Sequence, residues 1–228
     1  MNKSNYYDNF NPDLFNEIPN KIPKILELGC GAGALGAKYK SLNPSSHWCG
    51  LELIEEQANI ARNKLDRVIC TDIETNFPIR HDEQFDALIV GDVLEHLNDP
   101  WSVLRDLVSC IKPNGFICIC IPNVGHWSVV ANLIAGNFKY EDSGILDRTH
   151  LRFFTGSSMI ELLTQANIEI KKILPRRIIL NEDQYTKFCE SMIPFCNEFG
   201  LEFEHIKDRS SVLQYIFSGH KISTVSVK

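Results

Sequence analysis

The chain has 228 residues, 44% of them hydrophobic and 23% charged, enough to bury a self-sufficient core in one domain. Its net charge of −6 comes from 29 acidic and 23 basic residues spread along the chain, with no basic block to neutralise phosphates, which argues against bulk nucleic-acid binding. No apolar run approaches the roughly 20 residues of a membrane span, so neither a membrane nor a nucleic acid is an expected partner.

The opening MNKSNYYDNFN lacks the apolar core of an export signal, and the expected compartment is the cytoplasm. From there to about residue 121, short β-rich runs alternate with helix-length amphipathic ones, with strands expected at 24–28, 47–52, 67–71, 85–90 and 116–121. Such alternation means parallel strands with crossover helices. Ile54, Ala58, Ala61 and Leu65 form an apolar stripe after the second strand. After the fourth, Asp99 reads as an N-cap with Pro100 in the first turn, and Trp101, Leu104, Leu107, Val108 and Ile111 as a core-facing side, Trp101 included. That helix is expected to stop at Lys112-Pro113-Asn114-Gly115.

Eight cysteines occur without a C-x-x-C pair, and Cys70, Cys118 and Cys120 lie in apolar strand-like runs, so buried reduced thiols are expected. After Pro122 the pattern loosens into a helix and a loop-rich insertion over 124–154. A helix beginning near 155–158 follows, with Ser158 and Glu161 at capping-box spacing, and then a strand near 168–174. A helical insertion over 182–200 and a last strand over 211–218, antiparallel and at or near the sheet edge, complete the expectation. The fold class is therefore α/β: a Rossmann-like, doubly wound, seven-strand and mostly parallel sheet in one domain.

The stretch KILELGCGAGALGAKYK carries Gly29, Gly31, Gly33 and Gly36 directly after the first strand. Glycines there bring backbone close to a ligand, and the following helix offers unpaired N–H groups. Gly31 to Gly36 satisfies the dinucleotide spacing G-x-G-x-x-G, a weak signal alone, whereas Ala37 occupies the position of a P-loop lysine. Four carboxylates weigh against a pyrophosphate: Glu27, Glu52, Asp72 and Asp92 close four successive strands at the carboxyl edge. Glu27, two residues before Gly29, repels phosphate but attracts an ammonium group. Glu52 stands 21 residues after Gly31, where a carboxylate grips ribose hydroxyls. S-adenosylmethionine has an adenosine, an ammonium and a sulfonium and no phosphate, and it suits this edge better than NAD does. An NAD(P)-linked reductase is the less fitting reading, since no tyrosine is followed by a lysine four residues on.

ILELGCGAG, GLE, CTD, FDALIVGDVLEHLNDP and IKPNGFICICIPN resemble, in order and spacing, the motifs of class I S-adenosylmethionine-dependent methyltransferases, near the ubiquinone O-methyltransferase group. GILDRTHLRFFT is similar to a segment of a bacterial subgroup of these enzymes. The resemblance implies that Glu27, Gly29, Cys30, Gly31 and Gly33 surround the methionine portion, with Glu27 acting on the ammonium through water or the local field. It implies Glu52 on the ribose hydroxyls with Leu53 against the adenine, Asp72 and Ile73 at the adenine amino group, and Asp92 and Val93 near the sulfonium. An N-terminal lid over 1–20, with Tyr6 or Tyr7 closing on the cofactor, belongs to the same implication, as does S-adenosylhomocysteine as product.

The methyl group leaves from a positively charged sulfur, so the protein has to align the acceptor and exclude water, and a base is needed only for a protonated acceptor. Base candidates lie in the irregular half: His150, His126, Tyr140 and Asp147. Arg148, Arg152 and Trp127 are candidates for holding the acceptor, a small molecule or a peptide, beneath the 124–154 and 182–200 segments. His96 reads as a structural hydrogen-bonding group. Asp92 and Asp147 alone are too few oxygen donors to imply a metal, so none is expected. An N-methyltransferase and a silent methyltransferase-like subunit are the alternatives.

Overall fold

The computed structural model describes residues 9–80, 82–179 and 181–223, so Tyr6 and Tyr7 lie outside the described residues. The first five strands are β1 (Lys24–Leu28), β2 (His47–Glu52), β3 (Arg67–Cys70), β4 (Phe85–Gly91) and β5 (Ile111–Pro122). With β6 (Ile168–Arg177) and β7 (Val212–Lys221) they form one sheet in the order β3-β2-β1-β4-β5-β7-β6. Strands β1 to β5 pair in parallel, while β7 runs antiparallel to both β5 and β6. The antiparallel last strand thus lies one place in from the edge, which β6 occupies. From β1 the chain proceeds to β2 on one side and later to β4 on the other, and that reversal opens a crevice at the carboxyl ends of the strands.

The helices are α1 (Pro12–Glu17), α2 (Ala34–Leu42), α3 (Glu55–Ala61), α4 (Pro100–Ser109), α5 (Trp127–Ile134), α6 (Gly156–Gln165), α7 (Glu182–Phe199) and α8 (Phe203–Ser210). Because side chains alternate along a strand, β1 and β4 feed two cores. Leu26, Leu28, Leu88 and Val90 pack with Leu104 and Leu107 of α4 and Met159, Leu162 and Leu163 of α6. Ile25, Ala87 and Ile89 pack on the other face with Leu14 of α1, Tyr39 and Trp48. Cys118 and Cys120 belong to that second core, as their two-residue spacing requires. All eight cysteines are free thiols, and only Cys70 is not fully buried.

Several local expectations are corrected. Ile54 caps α3 and is 41% exposed, so the buried stripe is Ala58, Ala61 and Leu65. Trp101 is 37% exposed, turning outward with its ring 6.3 Å from that of Phe154. Helix α4 begins as read, with Asp99 accepting the Ser102 N–H at 3.0 Å, but it ends at Ser109. Residues 112–115 instead form an excursion within β5, whose register moves from Ile111 opposite Phe85 to Phe116 opposite Ala87. The cap of α6 is Thr155, with Ser158 as its reciprocal partner at the third helical position. Helix α8 was not anticipated, since its polar sequence FEHIKDRS carries no apolar face long enough to announce it.

Candidate cofactor and acceptor site

The loop leaving β1 holds Gly29, Gly31 and Gly33 at φ of 71°, 51° and 76°, a region that favours glycine. Gly29 and Cys30 both donate their N–H groups to the Leu51 carbonyl, at 2.8 and 3.1 Å, which ties the loop to the end of β2. A Cβ on Gly29 would meet Cγ2 of Val93 at 2.4 Å, so the loop lies directly against the turn after β4. Gly33 caps α2 with no side chain, leaving the helix's first N–H groups to the crevice. Gly36 has a packing role: its Cβ would lie 2.7 Å from Trp48 Nε1.

Two buried carboxylates stand at this loop. Glu52 accepts the Gly31 N–H at 2.8 Å through Oε2 and the Ile54 N–H at 2.9 Å through Oε1. Each oxygen keeps a further lone pair, enough for two ribose hydroxyls, and Leu53 beside it is 66% exposed, offering an apolar surface to a base. Glu27 accepts from Trp48 Nε1 at 2.7 Å. Burial, with the Glu52 charge adding, pushes the Glu27 carboxyl up to about 8 against the hydrogen bond from Trp48. Burial and the same two carboxylates also raise the Cys30 thiol, which stays protonated.

Asp72 is exposed at the end of β3 and accepts from its own turn, the Glu74 N–H at 3.0 Å. Ile73 packs against the main core. Asp92 sits at φ 52° after β4; its N–H reaches the Cys120 carbonyl at 3.1 Å, and its Oδ1 accepts from Gln214 Nε2 at 2.7 Å and from Cys120 Sγ at 3.5 Å. These residues therefore line one edge, and the glycine loop, Glu52 and Asp92–Val93 converge on the crevice between β1 and β4.

Beyond Asp92, the 3-10 turn Leu94–His96 brings Glu95 and His96 against the 144–155 loop. The Glu95 carbonyl accepts the N–H groups of Leu151 and Arg152, at 2.8 and 2.9 Å. His150 is 8% exposed; its Nδ1 lies 2.9 Å from the Ile145 carbonyl, so this nitrogen carries a proton and donates. The other nitrogen, Nε2, lies 4.0 Å from Glu95 Oε1, and Glu95 Oε2 is buried with no partner among the described residues. Burial, and then the charge of Asp92, hold the Glu95 carboxyl well above the ordinary range. The His96 and His150 rings meet edge-on with centroids 4.7 Å apart, and burial and that neighbour push His96 down. Glu95, His96 and His150 each offer a ligand atom, all within 4.8 Å of one another. One carboxylate with two imidazoles suits a divalent cation of borderline softness, a donor set distinct from the Asp92 and Asp147 pair weighed in the sequence.

The remaining candidates fall outside this cluster or serve the loop. Asp147 accepts from Thr149 through N–H at 2.8 Å and Oγ1 at 2.7 Å. Burial alone would raise its carboxyl, but those bonds and the nearby imidazoles outweigh it and hold it below the ordinary range. His126 caps α5, with Nδ1 2.9 Å from Ser128 Oγ, and burial drives it down to about 4. Trp127 packs between His126 and the Tyr185 and Phe188 rings of α7. Tyr140, 51% exposed, is the outer end of an aromatic chain that runs through Phe138 and Phe153 to His150. Arg148 pairs with Asp142 at 2.6 Å, and Arg152 donates to the carbonyls of Leu151 and Asn98. Glu95 was missed in the sequence because a lone glutamate inside VLEHL reads as an amphipathic turn; the D-x-x-E-H spacing from Asp92 was the available signal.

The methyltransferase domain family matches residues 26–117, from β1 into β5. The ubiquinone biosynthesis O-methyltransferase of Shewanella sp. (strain ANA-3) is 26% identical over 156 residues, covering 66% of this chain and 65% of that protein. The chain thus matches just under two-thirds of that curated relative's length. Among solved structures, a SAM dependent methyltransferase from Archaeoglobus fulgidus superposes with a TM-score of 0.64 at 18% identity over 92% of each chain. The 4+2 cyclase SpnF also superposes, with a TM-score of 0.60 at 17% identity over 92% of this chain and 79% of that one. Residues 26–117 thus match a methyltransferase domain, and the strand order of the whole chain and the order of its motifs are those of the class I S-adenosylmethionine-dependent methyltransferase fold. Its sequence relatives lie on the ubiquinone O-methyltransferase side of that class.

Proposed function

We propose that this protein transfers the methyl group of S-adenosylmethionine to an oxygen of a small metabolite or sugar. The observation that carries the reading is Glu52, whose two oxygens are set by the Gly31 and Ile54 amides while keeping lone pairs for a ribose diol. S-adenosylmethionine, when bound, supplies a methyl group on a sulfonium that departs as a thioether, so in-line attack needs alignment more than covalent help. In this reading Glu27 ionises to balance the ammonium group, Gly29 to Gly33 seat the methionine portion, Leu53 and Ile73 flank the adenine, and Asp72 accepts its amino group. Residues 1–20 act as a lid, and 124–154 with 182–200 cover the acceptor. His150 Nε2 takes the acceptor's proton, oriented by the Ile145 carbonyl on its Nδ1.

Preference for oxygen rests on the ubiquinone O-methyltransferase relatives. A second reading has its own observation: the unpartnered Glu95 Oε2 beside His96 and His150 suits a divalent cation that would lower the pKa of a bound hydroxyl. The test is incubation with methyl-13C S-adenosylmethionine and separate panels of phenols and hydroquinones, sugars, and amines. A new O-methyl carbon signal supports the proposal; labelling of amines alone replaces it with N-methylation. No labelling despite S-adenosylhomocysteine binding indicates a silent subunit.

A further inference from the structure

Helix α1 packs on one face of the sheet, its N-terminal end near Asp92 at the carboxyl end of β4. Leu14 is 2% exposed, and a Cβ on Gly91 would meet its Cδ2 at 2.9 Å. Asn11, which caps α1, donates to Cys120 Sγ at 3.4 Å, and that thiol in turn donates to Asp92 Oδ1. A longer path runs across the sheet. Arg176 of β6 donates through Nε to Asp13 Oδ2 of α1 at 2.6 Å and through Nη1 to Gln214 Oε1. Gln214 of β7, opposite Arg176 in register, donates through Nε2 to Asp92 Oδ1 at 2.7 Å.

The orientation of the middle member is dictated by its ends. A guanidinium only donates and a carboxylate only accepts, so the Gln214 amide has one arrangement that satisfies both. Asp92 is also one of four non-glycine residues at positive φ among the described residues, a conformation that persists only where its surroundings hold it. Asp92 accepts from Gln214 and Cys120, and both touch residues bound to the start of α1. The groups that hold the turn after β4 are therefore themselves tied to the start of the N-terminal helix.

We propose that Arg176 and Gln214 are positioning residues that make the seating of α1 and the shaping of the Gly91–Val93 turn a single event, so that cofactor affinity depends on α1 being docked. This rests on the reading of Asp92 and Val93 as lining the cofactor site. Lifting α1 takes Asp13 from Arg176, frees the guanidinium from the fixed geometry that orients Gln214, and loosens Asp92. Linkage makes the effect reciprocal: a ligand that favours the ordered turn must also favour docked α1.

The test is a double-mutant cycle of Asp13→Ala and Gln214→Met, with S-adenosylhomocysteine affinity by calorimetry and hydrogen exchange of the α1 amides as readouts. Each single variant is expected to weaken binding about 10-fold and to raise KM for S-adenosylmethionine more than it lowers kcat, and the double variant to weaken it by little more than either, the signature of a shared path. Bound S-adenosylhomocysteine should slow α1 exchange in the wild type and not in Gln214→Met. Additive losses, approaching 100-fold in the double variant, would overturn the proposal, as would Gln214→Met binding within twofold of wild type. Should Asp13→Ala fail to fold, Gln214→Met and its exchange readout decide alone. Absence of binding by the wild type would instead refute the cofactor reading.

Discussion

Trp48 Nε1 donates to Glu27 Oε2 across 2.7 Å inside the sheet, and this indole is the hydrogen-bond donor that the buried carboxyl group has among the described residues. With the carboxyl pushed up to about 8 by burial, the folded free protein retains a proton that the unfolded chain gives up near the ordinary value of 4.5. The folded state therefore binds more protons between those two values, and its stability falls as pH rises through that window. In Glu27→Gln, which keeps an acceptor for Trp48, this fall should be absent. Urea titrations at pH 5 and pH 9 should show the wild type losing on the order of 4 kcal/mol relative to the variant; equal losses would contradict it.

The same proton bears on the ligand. A cationic ligand favours the ionised carboxylate, so binding of S-adenosylmethionine should release a proton and tighten as pH rises towards about 8, then level off. Calorimetry in two buffers of different ionisation enthalpy measures the release. In Glu27→Gln both the release and that part of the pH dependence should vanish.

Gly29 and Gly136 separate backbone conformation from close approach. Both have positive φ, 71° and 77°, but a Cβ at Gly29 would lie 2.4 Å from Val93 Cγ2, whereas nothing lies within 4 Å at Gly136. Gly136→Ala should cost about 1 kcal/mol of stability and leave S-adenosylhomocysteine binding unchanged. Gly29→Ala should cost about 2 kcal/mol or more and weaken binding at least 10-fold, because the turn carrying Asp92 and Val93 must shift. Thermal unfolding with and without the ligand checks both.

His150→Gln should leave S-adenosylhomocysteine affinity within twofold and reduce kcat about 10²-fold, a typical general-base contribution. If the Glu95, His96 and His150 cluster acts through a cation, EDTA should produce a comparable loss in the wild type, restored by added Mn2+ or Zn2+. Unchanged activity in EDTA assigns the role to His150 alone, and full activity in His150→Gln removes it from the chemistry.

Much of this was legible because the signals were local. Glycines after an apolar run marked the turn out of β1, and a helical insertion was expected where α7 runs, Glu182–Phe199. What escaped depended on tertiary contacts. Trp101 reads as core on a helical wheel, yet the wheel does not say where the core ends. Ser158 and Thr155 are both residue types that cap helices, and only the path of the 144–155 loop into α6 selects the second. Glu95 and His150 stand 55 residues apart and meet because the 144–155 loop hydrogen-bonds to the Glu95 carbonyl, a long-range pairing without a sequence period. The bonds that join Asp13, Arg176, Gln214 and Asp92 likewise need the β7-β6 register to exist.

In the proposed reading, Glu52 anchors the ribose of an S-adenosyl ligand at the glycine loop. Its most direct test is calorimetric titration of the purified chain with S-adenosylhomocysteine, with NADH as the control ligand and Glu52→Ala as the control protein. Micromolar binding of S-adenosylhomocysteine, lost in Glu52→Ala, is expected, with no binding of NADH. Binding that survives in Glu52→Ala, or NADH binding in its place, would contradict it.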